Sequence, residues 1–187
     1  MQHGEEKRKR YKMRAFFITP LAIFLIMVLI MMAKLLNSND SGPSPLIGQH
    51  LPAFNLAAAY EGTPGLINTD IISKYSLLNI FGSWCLTCQI EHPFLMKLKE
   101  NNVLPIYGID WKDTPENLAK YLKKLGNPYK SIGDDVEGKA AIDLGVTGAP
   151  ETFLVSPEGI VLFRYAGPLT EEVWNLKILP LIEGGKK

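Results

Sequence analysis

The chain has 187 residues, 47% of them hydrophobic, which suffices for one domain of ordinary size with a further segment attached. Its formal charge of +1 is unevenly placed, because residues 1–14 (MQHGEEKRKRYKMR) hold six Lys/Arg against two Glu and the remainder therefore sums to −3. Two cysteines, with His50 and His92 the only histidines beyond that basic stretch, furnish the four ligands of a structural zinc site poorly.

Residues 15–33 (AFFITPLAIFLIMVLIMMA) carry no charged side chain. A helix of about 19 residues is about 28 Å long, close to the hydrocarbon thickness of a bilayer. The run lacks the polar face of a core helix. It ends MMAKLLNSND instead of in a small-x-small cleavage site, so it reads as a signal anchor, with cleavage as the main rival. Pro20 lies near its start, where a missing backbone donor disturbs a helix least. Lys7, Arg8, Lys9, Arg10, Lys12 and Arg14 are expected to keep the N-terminus cytoplasmic and to export everything after Leu36. This accounts for the basic cluster without nucleic acid.

The expected organisation is a cytoplasmic tail (1–14), a transmembrane anchor (15–36), a flexible linker (37–50, NSNDSGPSPLIGQH) and a periplasmic domain (51–187), held at a bacterial inner membrane. An exported domain meets an oxidising compartment, where a cysteine pair tends to close.

Within the domain, SLLNIF (76–81) predicts a buried strand running into a helix, with apolar residues at 90, 94, 95 and 98 at helical spacing. LPIYGID (104–110) predicts the next strand, followed by a helix capped by Thr114, opened by Pro115 and ending at Gly126. A shorter helix is expected over 136–144. ETFLVS (151–156), the turn PEG and IVLFRYAG (160–167) predict a hairpin, and a last helix begins after Thr170. The order β-α-β-α-(α)-β-β-α defines an α/β class with a central mixed sheet flanked by helices.

Both cysteines lie in FGSWCLTCQIEHPFLM (81–96), with two residues between them. A structural clip closing so short a loop constrains the unfolded chain little. A redox couple suits the position better. At the junction of strand and helix, free backbone N–H groups and the helix dipole favour a thiolate, and the second cysteine faces the same side one turn later. Exchange passes through a mixed disulfide, with Cys85 as the expected nucleophile and Cys88 as the resolving thiol. Pro93 removes one hydrogen bond from the helix two turns beyond Cys85.

WCLTC between a strand and a helix, Pro93, and GAPETF before a later strand together resemble a thioredoxin-fold protein. More closely, WCLTCQIEH (84–92), YGIDWKD (107–113), LGNPY (125–129), DLGVTGAPETFLV (143–155) and AGPLT (166–170) resemble the membrane-anchored thiol/disulfide oxidoreductases of cytochrome c maturation, the CcmG/DsbE family. The resemblance implies a thioredoxin-like domain with a cis bond before Pro150. It also implies an exported reductant for apocytochrome c or a maturation partner, with electrons from a transmembrane thiol donor of the DsbD/CcdA type. No cofactor is expected, and the ligand count argues against a metal. Leu86 departs from the family pattern, which often has Pro there.

By the same resemblance, Glu91 matches an acidic active-site position, and Glu151 follows the cis-proline. A carboxylate near a thiolate raises the thiol pKa and makes a couple more reducing. The competing reading for each is an exposed side chain on a solvated helix or loop, and the resemblance favours function for Glu91. Trp84 is expected to pack at the strand end or to dock partners, and the loop Gly148 to Glu151, with Ala149 and Pro150, to lie across from Cys85 and pair its backbone with an extended substrate. Competing functions are a general TlpA/ResA-like thiol reductase and a non-enzymatic assembly scaffold with incidental cysteines.

Overall fold

The computed structural model describes residues 18–34 and 44–185, which belong to two units, Met1–Asp40 and Ser41–Lys187. In the first, residues 18–34 form helix α1, with every side chain exposed. Residues 15–17, 35 and 36 of the expected anchor lie outside the described residues, as does the basic tail. Among the described residues, no helix is long and apolar enough to cross a membrane.

The second unit pairs two short strands, β1 (Asn55–Leu56) and β2 (Leu66–Ile67), beside a sheet of β3 (Ser76–Phe81), β4 (Ile106–Trp111), β5 (Ile132–Asp135), β6 (Glu151–Val155) and β7 (Val161–Ala166). The sheet order is β5-β4-β3-β6-β7. Strand β4 pairs in parallel with β3 and β5, whereas β3–β6 and β6–β7 are antiparallel. Helices α2 (Leu86–Glu100), α3 (Pro115–Leu125) and α4 (Lys139–Asp143) supply the connections. The chain closes with α5 (Glu171–Val173), a π-helical turn (Trp174–Ile178) and α6 (Leu179–Gly184). Pro180 cannot donate a backbone hydrogen bond, and the wider turn lies just before it.

Thr114 caps α3 as expected, its Oγ1 accepting from Asn117 N–H at 3.4 Å. Strand β5 was not anticipated, because IGDD lacks the apolar run that marks a strand. Residues 44–50, expected in the linker, contact the sheet: Gly48 N–H donates to Val161 O at 2.8 Å and Leu46 packs against the core.

The sheet separates two apolar clusters. Leu77 and Phe81 of β3 join Leu95, Leu98, Leu118, Tyr121 and Trp174 on one face. Leu78 and Ile80 join Tyr107, Ile109, Phe153 and Leu144 on the other. Successive side chains alternate between faces, so position within a strand decides which helices a residue can reach. Asn79 therefore points with Leu77 and Phe81 towards α2. Glu151, two residues from Phe153, points away from it.

Gly108 on β4 shows how closely the α2 face is filled. Phe81 and Tyr129 stack at 4.5 Å between ring centroids, and a Cβ at Gly108 would come within 2.8 Å of Phe81 and 3.0 Å of Tyr129. Gly108→Ala is expected to destabilise the domain by about 1–3 kcal/mol through overpacking, measured by urea unfolding.

Candidate active site

Strand β3 ends at Phe81, and Gly82–Trp84 lead directly to Cys85, the N-cap of α2. Cys85 has an extended backbone (φ −84°, ψ 109°), and its Sγ accepts from the Cys88 backbone N–H at 3.1 Å. The two sulfurs form a disulfide. Thr87 Oγ1 lies 3.5 Å from Cys85 Sγ. A hydroxyl and a first-turn N–H thus converge on the sulfur expected to attack, and both favour its anionic form once the disulfide opens. The pair is nonetheless covered, with Cys85 3% and Cys88 1% exposed, and around it Trp84, Leu86 and Ile90 stand out into solvent.

One turn beyond Cys88, Glu91 is buried on the sheet side of α2. Its Oε1 accepts from Asn79 Nδ2 at 2.9 Å, and its Oε2 from Leu169 N–H at 2.7 Å. Asn79 also donates to Thr152 Oγ1 at 3.0 Å and accepts from Tyr129 O–H at 2.8 Å. Burial pushes the Glu91 carboxyl up to about 7, against the lowering effect of its two donors. The alternative reading of Glu91 as an exposed side chain does not hold: it is a core carboxyl that changes charge near neutrality. Asn79 carried no motif of its own and Tyr129 stood in LGNPY without an assigned role, but a polar residue in the middle of SLLNIF was a legible signal.

His92 has no freedom to bind a metal. Nε2 faces Gly126 O at 3.0 Å and Nδ1 faces Tyr121 Oη at 2.9 Å. The neutral ring must carry its proton on Nε2, so Tyr121 donates to Nδ1. Burial lowers the His92 pKa and favours that neutral ring. Helix α2 continues through Pro93 to Glu100.

The Ala149–Pro150 peptide bond is cis. Ala149 packs against the cluster that contains both cysteines, and Pro150 lines a cleft of about 210 Å³ together with Thr87, Gly148 and Gly167. Glu151 lies elsewhere than an active-site acid would. Wholly buried on the opposite face of the sheet, it receives Arg164 Nε at 2.8 Å, Arg164 Nη2, Thr147 N–H at 2.8 Å and Thr147 Oγ1 at 2.7 Å. Arg164 also donates to Gly145 O at 2.8 Å. Glu151 thus ties β7 and residues 145–147 to the end of the cis-proline loop, and its charge is matched by a bidentate guanidinium. Arg164 was not anticipated from the sequence.

Residues 47–164 match the AhpC/TSA family. A thiol:disulfide interchange protein DsbE of Pseudomonas aeruginosa is 38% identical, over 91% of this chain and 94% of that protein. The thiol:disulfide interchange protein HelX of Rhodobacter capsulatus is 40% identical, over 79% and 84%. Among solved structures, a thiol-disulfide oxidoreductase of Bacteroides fragilis superposes with a TM-score of 0.59, covering 71% of this chain and 99% of that one at 22% identity, and shares the fold. A closed cysteine pair at the head of α2 on this sheet defines a thioredoxin-like thiol–disulfide oxidoreductase. The chain belongs, more particularly, to the DsbE family of thiol:disulfide interchange proteins.

Substitutions separate the glutamates. Glu91→Gln removes a charge that exists only as pH rises through about 7. The couple is expected to become more oxidising by about 30 mV, equivalent to a tenfold change in equilibrium constant, with the difference from wild type growing between about pH 6 and pH 8. Equilibration with glutathione measures it, and an equal offset at both pH values would remove the charge explanation. Arg164→Met strands the buried Glu151 and should cost about 3–5 kcal/mol in urea unfolding, largely recovered when Glu151→Gln is added.

Proposed function

We propose that the protein is a membrane-anchored, periplasmic reductant that opens disulfides in apocytochrome c or in a partner of its maturation. The observation that carries the reductant assignment is Glu91, a buried acid one helical turn past Cys88 whose ionisation near pH 7 opposes accumulation of thiolate in the reduced pair. The substrate assignment is supported by the extent of WCLTCQIEH and DLGVTGAPETFLV, whose resemblance to cytochrome c maturation oxidoreductases goes beyond the cysteines. The charge-free run and its six preceding basic residues support a single-pass anchor with the N-terminus in the cytoplasm.

The exchange runs in two displacements. The Cys85 thiolate attacks one sulfur of the substrate disulfide, that bond breaks, and the other substrate sulfur leaves as a thiolate and takes up a proton. Cys88 then gives up its proton and attacks Cys85 Sγ, releasing the second substrate thiol and closing Cys85–Cys88. Two electrons have moved to the substrate. A dithiol of a transmembrane donor of the DsbD/CcdA type reverses the sequence and restores the reduced pair. Trp84, Leu86 and Ile90 form the apolar collar that a partner meets, while Ala149 and Pro150 offer backbone to an extended segment carrying the substrate cysteine.

The test is direct trapping. Reduced full-length protein carrying Cys88→Ser should form a stable mixed disulfide through Cys85 with purified oxidised apocytochrome c, and adding Cys85→Ala should abolish it. Absence of the adduct, with wild type also leaving apocytochrome c oxidised, would overturn the substrate assignment.

A further inference from the structure

The YGIDWKD segment has so far had no role, and it ends beside the loop that presents Cys85. Asp113 is buried and accepts two backbone hydrogen bonds, from Ser83 N–H to Oδ2 at 2.5 Å and from Thr114 N–H to Oδ1 at 2.8 Å. One carboxylate therefore joins the residue two before Cys85 to the N-cap of α3. A second tie lies alongside, where Trp84 Nε1 donates to Trp111 O at 3.2 Å with the two indoles 6.0 Å apart. Gly82 permits this fold of the loop, because a Cβ there would stand 2.5 Å from Trp84 Nε1.

Behind Asp113 lies a second acid. Asp110, at the end of β4 between Phe81 of β3 and Asp134 of β5, is 2% exposed. Its carboxyl is within hydrogen-bonding reach of Asp113, and its Oδ1 has no partner among the described residues. The charged or titratable groups acting on it are Asp113, Asp134 and Tyr129. Asp135, its neighbour on β5, is occupied by Ala140 N–H and Ala141 N–H, and Lys112 lies over the Trp111 ring. No cation pairs with Asp110 among the described residues, so the burial favours a neutral acid that donates to Asp113.

We propose that Asp110 and Asp113 are positioning residues for the nucleophile: Asp110 holds a proton against Asp113, leaving a single negative charge that fixes Ser83 and, through it, the Gly82–Trp84 segment carrying Cys85. Ionisation of Asp110 places two like charges side by side and loosens that hold. Burial, with the charges of Asp113 and Asp134, pushes the Asp110 carboxyl up to about 8, so the hold persists through neutral pH and weakens above it.

The inference rests on Cys85 as the attacking thiol, and the two ideas fail differently. Stopped-flow rates of reduced full-length protein with a short peptide disulfide are measured from about pH 6 to about pH 10. Thiol ionisation makes the wild-type rate rise with pH. Loosening of the loop should then lower it about tenfold above pH 8, the kinetic equivalent of one hydrogen bond to a charged group. Asp110→Asn keeps a donor to Asp113 without a second charge, and its rate should only rise. Asp113→Ala should lose about tenfold already at neutral pH and show no alkaline fall. A wild-type profile that only rises, or one whose fall persists in Asp110→Asn, overturns the pairing. Exchange that survives Cys85→Ala overturns the nucleophile assignment instead.

Thermal unfolding gives an independent reading should Asp113→Ala fail to fold. A carboxyl with a raised folded pKa binds its proton more tightly in the native state, so native stability falls as pH climbs from the usual carboxylate range towards about 8. Asp110→Asn should therefore melt progressively higher than wild type as pH rises from about 4 to about 8. A constant difference in Tm would overturn the buried proton.

Discussion

A carboxyl group in an apolar core is costly unless its oxygens are occupied, and Glu91 meets that condition by joining three parts of the chain. It hangs from α2, takes the Asn79 amide from the central strand β3, and takes the Leu169 N–H from the segment between β7 and α5. Asn79 in turn is held by Tyr129, which follows α3 and stacks on Phe81. The redox helix is thus pinned to the sheet by a polar contact whose strength depends on being wholly enclosed. Shifting α2 would expose or strand these groups, so the disulfide at its head inherits a fixed position from chemistry one turn further along.

The same sheet explains why two acidic residues that look equivalent in sequence do different things. Side-chain alternation sends Asn79 and Thr152 towards α2, where Asn79 meets both Thr152 and Glu91. Glu151, one residue before Thr152, must face the other way. There it meets Arg164 across the β6–β7 pair and the backbone of Thr147. Its contribution to the site comes through the backbone: it fixes where β6 begins, and therefore where the cis-proline loop ends. Proximity along the chain to Pro150 says nothing about proximity of charge to the cysteines, and the two-residue period of a strand makes that distinction.

Much of this was legible beforehand. The strand-to-helix setting of WCLTC, the Thr114-Pro115 cap, the hairpin around PEG and the α/β order follow from local signals that the folded chain keeps. What escaped has a common physical cause. Strand β5 is recruited by its neighbour β4 and by residues before the sheet, since Ala59 N–H donates to Ile132 O, so tertiary pairing outweighs a sequence of Ile, Gly and two Asp. Arg164 and Tyr129 are remote from the cysteines in sequence, and only the sheet brings each to its carboxylate or amide. Asn79 is the instructive exception. A lone amide in a strand that is otherwise buried and apolar needs a partner, and that need was visible even though Glu91 as the partner was not.

The buried acids divide between two ways of controlling a thiol. In the proposed reductant, Glu91 acts from one helical turn past the pair, where its charge bears on the electrostatics of the sulfurs. Asp113 acts from beside it, through the backbone of Ser83, where what matters is the angle at which Cys85 is presented. Both residues are buried, so neither is screened as a surface charge would be. The domain can therefore keep a reactive sulfur in an environment set by its own interior, while the exposed collar of Trp84, Leu86 and Ile90 is left free to vary with the partner it meets.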